Sequence, residues 1–204
     1  MTEHYYSAKP TIASKESVIE ASICGMSLSF TSDQGVFSKN GIDFGSRLLV
    51  ETIIRTSIKG ESLNQKWLDL GCGYGAMGLS LAKYFQESDF TLVDINERAV
   101  ELSRKNANKF GLSNVDVFQS DGLKNVNERK YHKIFTNPPI RAGKQMIHRW
   151  FEEAVSHLET DGQLWIVIQK KQGAPSALEK LEVCYSSVDE MERDKGYFIY
   201  RAIK

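Results

Sequence analysis

The sequence predicts an α/β fold: a mostly parallel, Rossmann-like sheet with helices on both faces. Three observations predict it. Short apolar runs of strand length alternate with amphipathic helical stretches, and alternation of that kind builds a parallel sheet covered on both sides. A glycine cluster, Gly71-Cys-Gly73-Tyr-Gly75, sits between a strand-like run and a helix. Asp69, Asp94, Asp121 and Asn137 each fall at or just after the end of a predicted strand. Right-handed crossovers gather such positions on one sheet edge, where ligands of open α/β sheets bind.

The elements follow in order. Met26–Phe30 has the period-two pattern of a short strand. A turn-rich stretch leads to a helix from Asp43, with Leu48, Leu49, Thr52 and Ile53 on one face. Asp43 or Ser46 caps it, and Lys59-Gly60 ends it. Lys66–Leu70 is a strand, Ala76–Phe85 a helix and Phe90–Asp94 a strand. Glu97–Phe110 is an amphipathic helix closed by Gly111. Val115–Gln119 and Tyr131–Thr136 are strands, the second halted by Asn137-Pro138-Pro139. Lys144–Leu158 is a helix, Gly162 precedes the strand Leu164–Gln169, and Pro175–Leu181 is a helix with proline in its first turn. Val183–Val188 and Tyr197–Ile203 complete the set as strands. The expected organisation is one domain: a 43–204 core preceded by a 1–42 extension with short strands.

Composition narrows the class. A chain of 204 residues with 41% apolar and 25% charged residues suits one globular domain. No apolar run approaches the ~20 residues of a membrane span, and the polar start with Glu3 and His4 does not read as a signal peptide. A soluble, cytoplasmic protein is the expectation. Cys24, Cys72 and Cys184 are far apart and the four histidines lack ligand spacing, which points away from disulfides and metal. Lysine plus arginine and aspartate plus glutamate both number 26, so no strongly basic balance announces nucleic acid. A local basic patch remains compatible with that balance.

The chemistry is concentrated in four features. The glycines of 71–75 let the backbone turn and approach a ligand closely. Gly71-x-Gly73-x-x-Ala76 with Asp94 downstream also satisfies a dinucleotide fingerprint, so a nicotinamide enzyme stays in view. Asp94 can accept both hydroxyl hydrogens of a ribose, although it could equally cap the next helix. Asp121, in Ser120-Asp-Gly122, can accept from an adenine amine, or serve only the turn. Asn137-Pro138-Pro139-Ile140 discriminates. Two prolines after a strand remove two donors, leaving the Asn137 carboxamide oxygen and the Pro138 carbonyl as acceptors. An exocyclic amine is a poor nucleophile because its lone pair is delocalised into the ring. Two acceptors on its N–H groups would localise that pair and aim it at an electrophilic methyl group. A rigid loop closing the strand is the plain alternative.

Asp69-x-Gly71-x-Gly73-x-Gly75, Asp94, Asp121 and Asn137-Pro-Pro139 together resemble class I methyltransferases that modify amino nitrogens. The segment Phe30-Thr-Ser-Asp-Gln-Gly35-Val-Phe37-Ser-Lys-Asn-Gly-Ile-Asp43-Phe-Gly45-Ser resembles the small-subunit ribosomal RNA guanine-N2 methyltransferase family. So do Asn137-Pro-Pro-Ile-Arg141-Ala-Gly143-Lys144, Gln169-Lys-Lys-Gln-Gly173-Ala and Lys195-Gly196-Tyr197. The resemblance covers nearly the whole chain. It implies seven strands with the last antiparallel, S-adenosylmethionine as donor, and a guanine amine as acceptor. It further implies transient contact with ribosomal RNA or the small subunit. Donor-side residues would be Asp69, oriented toward the methionine amino group, with Gly71, Gly73, Gly75, Asp94, Ile95, Asp121, Gly122 and Asn137. Asn137, Pro138 and Pro139 would position the amine. Phe37, Ile140, Arg141 and Lys144 would meet the substrate, with Lys39, Lys170 and Lys171 near the mouth.

Two departures stand out. Many amino methyltransferases place an aromatic after Asn-Pro-Pro to stack on the base; here it is Ile140, which leaves stacking to Phe37. Longer family members also carry a further N-terminal domain of similar size. Rival readings are a protein glutamine methyltransferase, which uses the same Asn-Pro-Pro logic, a nicotinamide-dependent enzyme, and a non-catalytic RNA-binding module. Trp150, Phe151 and Trp165 lie in apolar-periodic segments and read as core.

Overall fold

The computed structural model describes residues 12–38, 41–57 and 64–204. The predicted helix stop at Lys59-Gly60, and Lys39, lie outside them. The chain folds in the order β1 (Ser17–Ile23), β2 (Met26–Ser32), α1 (Phe44–Thr56), β3 (Lys66–Leu70), α2 (Ala76–Tyr84), β4 (Asp89–Asp94), α3 (Glu97–Lys109), β5 (Val115–Gln119) and β6 (Tyr131–Thr136). It continues with α4 (Lys144–His157), β7 (Leu158–Gln169), α5 (Ala174–Cys184), β8 (Ser187–Asp194) and β9 (Tyr197–Ile203).

Seven strands form one sheet in the order β5-β4-β3-β6-β7-β9-β8. All pairs from β5 to β7 are parallel. The last strand, β9, runs antiparallel to both β7 and β8. This is a doubly wound, Rossmann-like architecture with two antiparallel strand pairs at one edge. The chain leaves β3 toward β4 on one side and returns to β6 on the other, so the strand order reverses beside β3. Such a reversal opens a crevice at the carboxyl ends of the strands. Apolar side chains fill both faces. Leu49, Ile53, Trp67, Leu92 and Val167 belong to one buried cluster. Leu68, Ile134, Phe151, Leu164 and Ile166 belong to the other.

Three boundaries differ from the sequence expectation. β1 pairs with β2 in a separate two-stranded hairpin. Its turn residues Cys24 and Gly25 both have positive φ, 46° and 81°, the two-residue turn that matches strand twist. The hairpin buries Ile19, Ile23, Leu28 and Phe30 in the same cluster as α1 and α3. Second, Val183–Val188 is not a strand. α5 continues through Cys184, Val183 is 80% exposed, and the strand is Ser187–Asp194. As an edge strand, β8 buries almost nothing and its residues Asp189, Glu190, Glu192 and Arg193 carry no apolar alternation. Third, β7 begins at Leu158 rather than after Gly162. The ladder jumps from Tyr131↔Leu158 to Lys133↔Gln163, so residues 159–162 bulge from it.

Candidate active site

A cavity of about 690 Å³ opens over the carboxyl ends of β3 to β6. Its walls come from the loops after these strands, from residues 35–38, 41–43 and 46, and from Gln172 and Tyr197. Thr136 Oγ1 donates to the Leu70 carbonyl at 2.7 Å and is fully buried. That bond ties the ends of β3 and β6 together, so the glycine loop and the Asn-Pro-Pro loop share one cavity.

The loop 71–75 is anchored by the Gly71 and Cys72 N–H groups, both donating to Val93 O at 2.9 Å. Gly75 has φ 89°, and a Cβ there would stand 2.6 Å from Leu79 Cδ1, so both conformation and space require glycine. Gly75 opens α2 without a side-chain cap. The first amides of α2 are thus available to an anionic ligand group, and Ala76 and Met77 line the cavity.

Asp94 lines the cavity, its Oδ2 accepting from Gly73 N and its Oδ1 from Asn96 N, each at 2.9 Å. The carboxylate retains lone-pair capacity for a ligand hydroxyl. Burial pushes its carboxyl upward, and the backbone N–H groups of Asn96, Gly73 and Ile95 oppose the shift. The next turn holds the N-terminal segment in place. Asn96 Nδ2 donates to Gly35 O at 3.0 Å, and Arg98 donates to Gln34 O and Ile12 O at 2.6 and 2.7 Å. Val36 and Phe37 line the cavity beside Ile95 as a result. Phe37 is 41% exposed.

Asp121 and Gly122 line the cavity on the β5 side. The Asp121 carboxylate pairs with Lys124 and is 40% exposed. Gly122 has φ 60°, and a Cβ would come 2.6 Å from Trp150 Nε1. Trp150 packs in the core as its sequence context predicts, yet it is also cavity wall, and its buried Nε1 has no partner among the described residues.

Asp69 stands apart from the other expected donor-side residues. It does not line the cavity but lies fully buried beneath the loop. Its Oδ2 accepts from Gly78 N at 2.8 Å, and its Oδ1 has no partner among the described residues. Burial raises its pKa to about 8, opposed by the Gly78 hydrogen bond and reinforced by Asp94. It anchors α2 to β3.

Asn137, Pro138, Pro139, Ile140 and Arg141 line the far end of the cavity. Asn137 Nδ2 donates to Asp43 Oδ2 at 3.1 Å and to Ser46 Oγ at 3.0 Å. Both amide hydrogens are therefore engaged on the α1 side. The carboxamide oxygen makes no hydrogen bond among the described residues and is left as an acceptor. Asp43 also caps α1 through Gly45 N at 3.0 Å and Ser46 N at 3.3 Å. Tyr197 closes this end, packed on Gly45, where a Cβ would stand 2.8 Å from Tyr197 Cε1. Lys144, Lys170 and Lys171 are exposed and lie outside the cavity wall. The sequence gives Asp43 and Ser46 no role beyond capping and family resemblance, and it holds Tyr197 and Gln172 within family-like motifs without a role at the site. A partner 91 or 94 residues away leaves no local signal.

An uncapped helix end, a glycine cradle and a half-buried strand-end carboxylate fit an S-adenosylmethionine molecule, and the adjacent acceptor oxygens fit an amino nitrogen. Fold and site define an S-adenosylmethionine-dependent methyltransferase. The family model described as methyltransferase small domain matches residues 27–201. Bacillus subtilis (strain 168) has a relative, uncharacterized protein YbxB, 48% identical over 205 residues and covering all of both chains. Ribosomal RNA small subunit methyltransferase C of Erwinia tasmaniensis is 33% identical over 174 residues, 83% of this chain and 48% of the relative. A solved T. thermophilus 16S rRNA N2 G1207 methyltransferase, in complex with AdoMet and guanosine, superposes with a TM-score of 0.82 at 25% identity. That match covers 96% of this chain and 52% of the other. The chain thus spans about half the length of these ribosomal RNA methyltransferases. It belongs to the methyltransferase small domain family.

Among the described residues, no helix is long and apolar enough to cross a membrane, and no cluster of three or more His, Cys, Asp or Glu side chains could hold a metal.

Proposed function

We propose that this protein methylates the exocyclic N2 amine of a guanine in small-subunit ribosomal RNA. The observation that carries the reading is the Asn137 carboxamide, its nitrogen tied to Asp43 and Ser46 and its oxygen left for a substrate N–H. S-adenosylmethionine, when bound, supplies an electrophilic methyl group. Gly71, Gly73 and Gly75 cradle the donor, the first turn of α2 meets its carboxylate, Asp94 and Ile95 hold the ribose, and Asp121 with Gly122 faces the adenine. Asn137 Oδ1 and the Pro138 carbonyl accept the two N–H bonds of the target amine, and Pro139 fixes the loop. Both acceptors localise the amine lone pair and orient it for in-line attack. No strong general base is needed, because the amine becomes acidic once methylated and releases its proton to water.

The base must leave its stack to reach this depth. Phe37, exposed on the cavity wall, offers the aromatic face that Ile140 lacks. Arg141, Lys144, Lys170 and Lys171 would meet flanking phosphates. The relatives named for the ribosomal small subunit favour RNA over the glutamine reading. The protein would act in the cytoplasm and contact the ribosomal subunit transiently.

The test is transfer of labelled methyl from S-adenosylmethionine into small-subunit RNA, naked and assembled, from cells lacking the protein. Nucleoside mass analysis should show N2-methylguanosine, and Asn137→Ala should lower kcat by ~10²–10³, as loss of one transition-state acceptor or donor does. Near-normal turnover by Asn137→Ala would overturn the mechanism. Label in protein glutamine instead of RNA would overturn the substrate.

A further inference from the structure

We propose that Asp43 is a positioning residue for methyl transfer: it fixes which end of the Asn137 carboxamide faces the substrate. The proposal rests on the reading of Asn137 as an acceptor for the target amine.

A carboxamide is nearly symmetric in shape, so packing alone does not decide whether its oxygen or nitrogen faces the cavity. Hydrogen-bond partners decide. Behind Asn137 stand a carboxylate oxygen of Asp43 at 3.1 Å and the hydroxyl of Ser46 at 3.0 Å. Ionised Asp43 can only accept. Rotating the Asn137 amide by 180° would set its oxygen against that carboxylate and turn an NH₂ toward the substrate amine. Such an orientation loses the Asp43 hydrogen bond, which the Ser46 hydroxyl, able to turn and donate, does not replace, and opposes donor to donor.

Asp43 is itself fixed. It is the N-cap of α1, with Oδ1 on Gly45 N and Oδ2 on Ser46 N. The start of α1 is therefore rigidly coupled to the Asn-Pro-Pro loop across the cavity. Charge adds to orientation: a carboxylate accepting from the amide nitrogen polarises the amide and makes its oxygen a stronger acceptor. Asp43 reaches neither donor nor base in this account. It acts through Asn137.

Asp43→Asn separates this role from capping, because asparagine caps a helix about as well as aspartate. With its single oxygen serving the cap, the new side chain turns an NH₂ toward the Asn137 NH₂, and the Asn137 amide rotates to relieve the clash. Steady-state kinetics on the ribosomal RNA substrate should then show kcat lowered ~10²–10³-fold, with RNA KM, donor Kd and urea midpoint unchanged. The pair Asp43→Asn with Asn137→Asp restores a donor–acceptor contact and an oxygen on the cavity side, and should regain at least about tenfold over Asp43→Asn, the worth of one hydrogen bond. Ser46→Ala, which leaves the cap residue intact, should cost about tenfold or less.

A substrate-free readout runs in parallel. The Asn137 side-chain NH₂ should exchange with solvent at least about tenfold faster in Asp43→Asn than in the parent protein, by NMR. If Asn137→Ala abolishes transfer while Asp43→Asn stays within about threefold of the parent, the Asp43 proposal falls and the Asn137 reading stands. If both variants turn over normally, the Asn137 reading falls and takes this one with it. Unchanged Asn137 amide exchange in Asp43→Asn overturns the proposal whatever the RNA.

Discussion

Gly78 lies inside α2, where replacing glycine by alanine normally stabilises a helix by about 1 kcal/mol. The structure reverses that expectation. A Cβ on Gly78 would stand 2.8 Å from Asp69 Oδ2 and 2.8 Å from Leu92 Cγ, and both neighbours are fully buried. Relief requires α2 to move off the sheet. Overpacking of this kind costs about 1–3 kcal/mol. The same movement stretches the 2.8 Å bond from Gly78 N to Asp69, a carboxyl whose other oxygen has no partner among the described residues. Leaving such a group unsatisfied costs a further ~1–3 kcal/mol. Against a gain of about 1, Gly78→Ala should destabilise the fold by roughly 3 kcal/mol. For a chain of this size that lowers Tm by about 6–12 °C. Equilibrium urea denaturation gives the first number and calorimetry the second. Because α2 begins at Gly75, its displacement also opens the donor cradle, so calorimetric titration should show weaker S-adenosylmethionine binding. A Gly78→Ala protein as stable as the parent, or more so, would refute the close approach of α2 to β3 and the anchoring role of Asp69.

Three further outcomes follow from the same geometry. Asp94→Ala should weaken donor binding about a hundredfold by isothermal titration, the worth of two charge-assisted hydrogen bonds less their solvation, while leaving RNA affinity unchanged. Asp69, raised to about 8 by burial, holds its proton in the fold after the unfolded chain has ionised. Its contribution is fully present below about pH 4 and is lost as pH rises toward 8, at up to ~1.4 kcal/mol per pH unit. Asp69→Asn should flatten the fall in urea midpoint between pH 5 and 8, and an unaltered slope would assign that fall elsewhere. Gly122→Ala meets Trp150 Nε1 at 2.6 Å from a backbone with φ 60°; it should lose donor affinity with little change in secondary structure by circular dichroism, since the turn lies outside every helix and strand.

Much of this architecture can be read from the chain because its signals are local. Strands β4, β5 and β6 each end on a polar residue, Asp94, Gln119 and Thr136, and β3 runs straight into the glycine loop; Asp94 lies at a strand end on the cavity wall. The signal fails where burial is one-sided or absent. β8 is an edge strand whose exposed and half-buried residues follow no apolar period. Among the described residues β1 is paired only with β2, and its register is set by a Cys24-Gly25 turn whose cysteine is not a usual turn residue. Asp69 misleads for the opposite reason. Its place in the glycine motif suggests a ligand contact, but the last residues of a central strand alternate between faces. The side chain that points under α2 becomes an anchor.

The two ends of the cavity differ in how the chain builds them. The donor end comes from turns that each follow a strand within a few residues, so its parts are fixed as soon as neighbouring strands pair. The acceptor end is assembled from segments far apart: residues 36–38, 41–43 and 46 before the core, the Asn137–Arg141 loop, and Gln172 and Tyr197 near the end of the chain. Tyr197 is seated against Gly45, and Asn137 is oriented by Asp43 and Ser46. The segment between β2 and α1 therefore does more than precede the methyltransferase core. On the proposed reading it supplies residues that orient the acceptor and wall the base site, so differences in substrate between members of this fold should track the β2–α1 segment more closely than the glycine loop. Exchanging that segment with a relative of different acceptor should shift which nucleoside is methylated while donor affinity holds. A shift in donor affinity with unchanged nucleoside preference would place specificity elsewhere.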